Sequence, residues 1–116
     1  MHGDKMKQDG NKHRMELLPR YPLEAISDVL AFGAEKYTPH GWREGMEWSR
    51  VAGAAMRHLQ AFNDGEDQDP ESGLPHLAHL GCCVLFLLEY TRTYPEQDDR
   101  YRRCGYDRLM ADHTPE

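Results

Sequence analysis

The chain has 116 residues and a formal net charge of −6, from 14 Lys and Arg against 20 Asp and Glu. That length allows one domain with a single modest core. The acidic balance excludes a polyanionic partner such as duplex DNA unless the basic residues segregate, so no nucleic acid polymer is expected. A small nucleotide is compatible with it, because a metal can bridge acidic protein to acidic ligand. Three cysteines, two of them adjacent at Cys82 and Cys83, make no disulfide framework and point to a reducing, cytoplasmic compartment. The N-terminus is polar, without a signal segment. The longest apolar run, Leu80–Leu88, is far too short to cross a bilayer, and no membrane role is expected.

Residues 1–8 are polar and aperiodic, and a flexible tail is expected there; the domain is expected to span 9–95. Lys12, His13 and Arg14 precede an apolar Leu17-Leu18-Pro19 able to dock on the core and hold two cations in a defined place. Pro22 suits the first position of a helix, where its missing N–H costs nothing. Core-facing positions at 23, 26, 29, 30 and 33, with Asp28 on the polar side, predict a helix to about Lys36. Thr38-Pro39 ends it, because a residue before proline is biased away from helical angles. The stretch from Gly41 to Trp48 reads as a loop. Its two tryptophans plug a core edge or offer a platform for a flat base, and the residues alone leave both open.

Ser49 is the expected N-cap of a second helix running to Asn63. Val51, Ala55, His58 and Phe62 share one stripe, so His58 falls inside the apolar face, either as a satisfied core histidine or as a functional one. Arg50 and Arg57 lie together on another flank. Asn63-Asp64-Gly65 closes the helix, and Asp69-Pro70 keeps the following loop irregular. Ser72 is the expected cap of a third helix, with Pro75 in its first turn. This helix is the most apolar part of the chain. His76 and His79 are neighbours on one face, extended by Cys83 and Phe86. A helix apolar nearly all round calls for burial on every side, which in a chain this small predicts a homo-oligomer. Residues 96–116 have mixed charge and are expected to form a tail or one short helix around Tyr106–Met110.

The densest chemistry lies between Arg57 and His79, where one arginine, three histidines and five carboxylates (Asp64, Glu66, Asp67, Asp69, Glu71) occupy a helix–loop–helix segment. Carboxylates crowded in this way repel one another unless a cation sits among them. Hard divalent ions want several oxygen ligands, and imidazole suits the softer end of the series. Mg²⁺ or Mn²⁺ is the ion this pattern predicts; the competing reading is a solvated acidic turn. HxxHxxxC, from His76 to Cys83, is a partial zinc pattern without an evident fourth ligand.

Five segments in series carry a resemblance: Lys12-x-Arg14-x-x-Leu17-Leu18-Pro19, Phe32-Gly33-Ala34-x-Lys36-Tyr37, Gly41-Trp42, Arg57-His58-Leu59-x-Ala61, and Gly65-Glu66-x-x-Asp69-Pro70-Glu71-Ser72-Gly73-Leu74-x-His76-Leu77-x-His79. Over about residues 9 to 90 the chain resembles the phage dATP/dGTP diphosphohydrolase (MazZ-like) family, grouped with the all-α, MazG-like nucleoside triphosphate pyrophosphatases. The resemblance implies a small, oligomeric helical bundle, dimer or tetramer, in the cytoplasm of an infected host. It implies Mg²⁺ or Mn²⁺ and hydrolysis of dGTP or dATP to monophosphate and pyrophosphate. In phages that replace adenine with 2-aminoadenine, the dGMP so made feeds synthesis of the modified nucleotide.

The wider MazG pattern sets ExxE on one helix and ExxD on the next. Here Glu44-x-x-Glu47 and Glu66-x-x-Asp69 both fall in glycine-flanked segments, and only the second belongs to the phage motif. With it the resemblance implies Glu66, Asp69, Glu71, His76 and His79 as candidate metal ligands. Glu66, Asp69, His79 and His58 are the candidate catalytic residues, a histidine acting as base or orienting the water. Lys12, Arg14, Lys36 and Arg57 are candidate phosphate contacts, and Tyr37 and Trp42 candidate stacking partners for the purine. Two other classes compete. An HD-type phosphohydrolase needs a His-Asp dipeptide, which this chain lacks. A non-enzymatic helical adaptor with structural zinc would hold metal without turnover. A di-iron bundle is disfavoured because Glu-x-x-His is absent.

Overall fold

The computed structural model describes residues 12–101. Among them the fold is all-α, as the sequence predicts: α1 is Arg20–Lys36, α2 is Trp48–Asn63 and α3 is His76–Thr93. Short 3₁₀ turns at Met15–Leu17, Gly41–Glu44 and Pro95–Gln97 complete the path. The most apolar helix is the hub. Both α1 and α2 pack on α3, and they make no extensive contact with each other.

Two small cores result. Trp48 and Val51 of α2 meet Cys83 and Tyr90 of α3, with Trp42, Met46 and Phe86 packed around them. Val29 of α1 meets Ala78 and Cys82 of α3, flanked by Ile26 and Leu30. Tyr90 is fully buried, and its hydroxyl donates to the Trp42 carbonyl at 2.6 Å, satisfying the phenol and fixing the loop backbone together. The α1–α3 approach depends on Gly81: a Cβ there would sit 2.7 Å from Ile26 Cδ1. Beside the other core, Gly45 holds φ at +95° against the Tyr94 ring, a conformation that other residues adopt only with strain.

The helix starts differ from expectation, each for a local reason. α1 begins at Arg20, so Pro22 is its third residue; that is still within the first turn, whose N–H groups have no intrahelical acceptor. α2 begins at Trp48 with Glu47 as its N-cap, two residues earlier than a Ser49 cap would give. Ser49 is therefore inside the helix, and its N–H and hydroxyl both donate to Asp99, at 2.9 and 2.5 Å. α3 begins at His76 with Pro75 as its N-cap, not at Ser72. The Ser72 hydroxyl instead accepts from Leu74 N–H at 3.1 Å in a local turn.

Residues 95–100, placed partly in the expected tail, fold back on the start of α2. Trp48 Nε1 donates to the Tyr94 carbonyl at 3.1 Å, and the Arg100 guanidinium lies 4.9 Å from the Trp48 ring centre. The expected tail at 1–8 and helix at 106–110 lie outside the described residues. No helix among the described residues is long and apolar enough to cross a membrane. Met56, Leu59 and Phe62 on α2 and Leu77, Val84, Leu85 and Leu88 on α3 remain exposed.

Candidate active site

Because α1 and α2 each pack on α3 and scarcely on each other, they leave a cleft between them of about 990 Å³, the size of a small-molecule site. Cys82, Cys83 and Phe86 of α3 line it from below. Phe32 and Lys36 of α1, with Tyr37 just after it, line one side, Arg50, Ala54 and His58 of α2 another. The loop after α1 adds Trp42 and Arg43, and the α2–α3 segment adds Asp69, Glu71 and His79.

The α2–α3 loop is built to hold its polar side chains still. Asp69 N–H donates to the Leu74 carbonyl at 2.8 Å, Gly73 N–H to the Asp69 carbonyl at 2.7 Å, and His76 N–H to the Asp67 carbonyl at 2.9 Å. Gly65 and Gly73 turn the chain at positive φ. In this frame His79 Nε2 lies 2.7 Å from the Ser72 hydroxyl and 3.5 Å from Asp69 Oδ2, while Ser72 Oγ donates to Asp69 Oδ2 at 3.3 Å. The His58 ring stacks on His79 at 4.6 Å and 9°. His58 Nδ1 lies 2.9 Å from His76 Nδ1, and His76 Nε2 lies 2.7 Å from Glu66 Oε1.

Burial, and then the neighbouring His79 and His76 rings, push His58 below the usual histidine pKa. Burial also lowers His79, against the pull of the Asp69 carboxylate. Both are thus neutral at pH 7 and able to accept a proton or a metal. Across the site, Lys36 pairs with Glu71, and that bond foremost raises the lysine's pKa.

The cleft thus gathers seven of the residues singled out from the sequence: Lys36, Tyr37, Trp42, His58, Asp69, Glu71 and His79. Glu66 and buried His76 stand behind it, bonded to each other. Lys12 is exposed and does not line it, Arg14 pairs with Glu16, and Arg57 lines a neighbouring hollow. The five predicted metal ligands are not gathered into one cage, and among the described residues no three His, Cys, Asp or Glu side chains converge to hold an ion.

Of the two roles that the sequence left open, the structure shows Trp42 packing at the core edge, on a ring that also lines the cleft. It stacks on Phe86 at 4.5 Å and 13° and also faces the cleft, with the Arg43 guanidinium 4.7 Å from its ring centre. Arg43 and Arg50 are cleft cations that the sequence did not assign to the site, Arg50 having been placed only on a flank with Arg57. The signal for Arg50 was the i, i+4, i+8 spacing of Arg50, Ala54 and His58, which places them along one side of a helix. The stronger apolar stripe through Val51 and Ala55 obscured it.

Comparison with known proteins places the chain. Residues 2–100 match the family model described as dATP/dGTP diphosphohydrolase, N-terminal. A dATP/dGTP diphosphohydrolase of Salmonella phage PMBT28 is 33% identical over 96 residues, covering 82% of this chain and 32% of that protein. The chain therefore spans about a third of the length of the curated relative it matches. No solved structure matches it. On the family model and the relative together, the chain belongs to the dATP/dGTP diphosphohydrolase N-terminal family.

Proposed function

We propose that the cleft hydrolyses purine deoxynucleoside triphosphates, dGTP and dATP, to monophosphate and pyrophosphate by attack of water at the α-phosphorus, with Mg²⁺ or Mn²⁺ as cofactor. One observation carries the reading. Two carboxylates and two neutral imidazoles (Asp69, Glu71, His58, His79) line the same cleft as three cations and a stacked aromatic pair. A nucleoside triphosphate asks for all three chemistries at once. The activity named for the phage relative supports the substrate class.

The donor set suits the metal. Asp69 and Glu71 offer hard oxygen ligands with His79 beside them, and triphosphate oxygens would complete a shell that the protein leaves short. An ion held by these residues would supply charge neutralisation of the triphosphate and a more acidic bound water. The chain's own residues do the remainder. Lys36, Arg43 and Arg50 bind phosphate oxygens, Trp42 extends its stack on Phe86 to the purine, and His58 or His79 takes the proton of the attacking water. Exposed apolar side chains on α2 and α3 support a MazG-like bundle that completes its core as a homo-oligomer, dimer or tetramer. In a phage that uses 2-aminoadenine, the dGMP product would supply that pathway.

A turnover screen of every dNTP and NTP with Mg²⁺ and with Mn²⁺ tests this, followed by the preferred substrate in ¹⁸O-water. The expected products are pyrophosphate and a labelled purine monophosphate. No turnover of any triphosphate, or orthophosphate released with a diphosphate, overturns the reading.

A further inference from the structure

Behind the cleft wall, Glu66 and His76, which the proposed chemistry does not yet use, form a continuous hydrogen-bonded line with His58. Glu66 Oε1 is 2.7 Å from His76 Nε2, and His76 Nδ1 is 2.9 Å from His58 Nδ1. His76 is only 4% exposed, and both of its ring nitrogens are engaged. A carboxylate only accepts hydrogen bonds, so a neutral His76 carries its proton on Nε2, facing Glu66. Its Nδ1 is then a lone pair and accepts the Nδ1–H of His58. That leaves His58 Nε2 bare, the one nitrogen of the line without a hydrogen-bond partner among the described residues, on a ring that lines the cleft. Each proton position follows from the one before it.

We propose that Glu66 and His76 are positioning residues rather than metal ligands: Glu66 fixes the tautomer of His76, and His76 fixes His58 as the Nδ1–H form with Nε2 free for the cleft. The inference rests on the reading of the cleft as the hydrolytic site, but its first test does not. A carboxylate behind an imidazole sets which nitrogen stays basic, and such partners orient the groups that touch substrate or metal. The arrangement also accounts for the absence of a five-residue cage: two of the five expected ligands are spent on each other, and only Asp69, Glu71 and His79 reach the cleft.

The test is ¹⁵N NMR of the histidine-labelled chain at pH 8, where free imidazole is neutral. His58 is expected protonated at Nδ1 and bare at Nε2, and His76 the reverse; His58 protonated at Nε2 would overturn the proposal. These tautomers are read on the native chain, so they stand apart both from the folding of any variant and from the substrate screen. In Glu66→Gln the amide oxygen can still accept from His76 Nε2–H. That variant is expected to keep both tautomers, with kcat within about fivefold of the native chain and an unchanged metal requirement. Glu66→Ala is expected to mix the tautomers and lower kcat at least tenfold at unchanged KM. If Glu66→Gln raises the metal concentration for half-activity tenfold or more, Glu66 is a ligand and the proposal fails. If Glu66→Ala leaves the His58 tautomer intact, Glu66 does not act through His76 and the proposal fails as well. A native chain with the expected tautomers but no triphosphate turnover would refute the hydrolytic reading alone.

Discussion

On the α2–α3 side of the cleft the polar side chains stand in two hydrogen-bonded groups anchored by backbone turns, Ser72 with Asp69 and His79 and Glu66 with His76 and His58, joined by the stack of His58 on His79. On the α1 side, Lys36 reaches the cleft through one solvent-facing ion pair with Glu71, and Tyr37 is 71% exposed. The packing beneath follows the same division. α2 shares Trp48, Val51, Cys83 and fully buried Tyr90 with α3, whereas α1 offers Val29 alone as a buried residue against Ala78 and Cys82. An exposed ion pair contributes at most about 1 kcal/mol. The chemistry-bearing wall is therefore set before a ligand arrives, and the α1 wall is the one a ligand can reset.

Substituting a member of the set wall should give the largest effect. Asp69→Asn removes the carboxylate placed beside His79 and keeps the side chain's shape. It is expected to lower kcat by about 10²–10³-fold, the scale on which several kcal/mol of charge stabilisation act. Its metal-free melting temperature should stay within a degree or two, because the amide oxygen can still accept from the Ser72 hydroxyl. A large loss of metal-free stability with little change in kcat would mean that the loop is a structural turn, and the contrast between the walls would lose its functional meaning.

A milder break targets α1. Gly81 lets α3 approach Ile26, and a side chain there meets Ile26 Cδ1 and Cγ1 within 3.1 Å. Gly81→Val should lift α1 from α3 at a cost of about 1–3 kcal/mol, the usual penalty of overpacking. Since only the α1 wall moves, KM for the triphosphate should rise several-fold while kcat at saturation changes less than twofold. Chemical denaturation and steady-state kinetics on the same variant check both halves. Equal losses in kcat and KM would show that the two walls do not act separately.

How much of this was legible in the sequence depends on whether the controlling interaction is local. The helix periods, the proline and glycine punctuation and the acidic loop were all legible, because each is set within a few residues. The start of α3 was not: Ser72 looks like a cap by spacing, but its hydroxyl is taken by Leu74 N–H and stands beside His79. Nor was the division of the carboxylates. Composition puts Glu66, Asp69 and Glu71 in one cluster, and only the fold shows Glu66 turned to His76, Glu71 to Lys36 and Asp69 to Ser72. Arg43 and Arg50 were not legible as cleft residues for the same reason, since what makes them so is the gap between two helices that do not pack together.

The smallest expected effect concerns the clamp that finishes the better-packed half. Ser49 N–H and hydroxyl both donate to Asp99, supplying an acceptor in the first turn of α2, where backbone donors have none of their own. Those bonds, the side-chain one foremost, hold the Asp99 carboxyl below its usual value of 3.8. A depressed carboxylate pKa means that the unfolded chain binds the proton more readily than the folded one, so the contribution to stability is present above about pH 4 and fades as pH falls through the folded value. Asp99→Asn keeps one acceptor and cannot titrate. The variant should melt slightly lower than the native chain at pH 7, and the gap should close as the pH falls below the usual carboxylate range and native Asp99 takes up its proton. Melting temperatures of both chains across that window decide it. Parallel curves would show that Asp99 does not clamp α2 in solution, and the better-packed half would then rest on its buried aromatics alone.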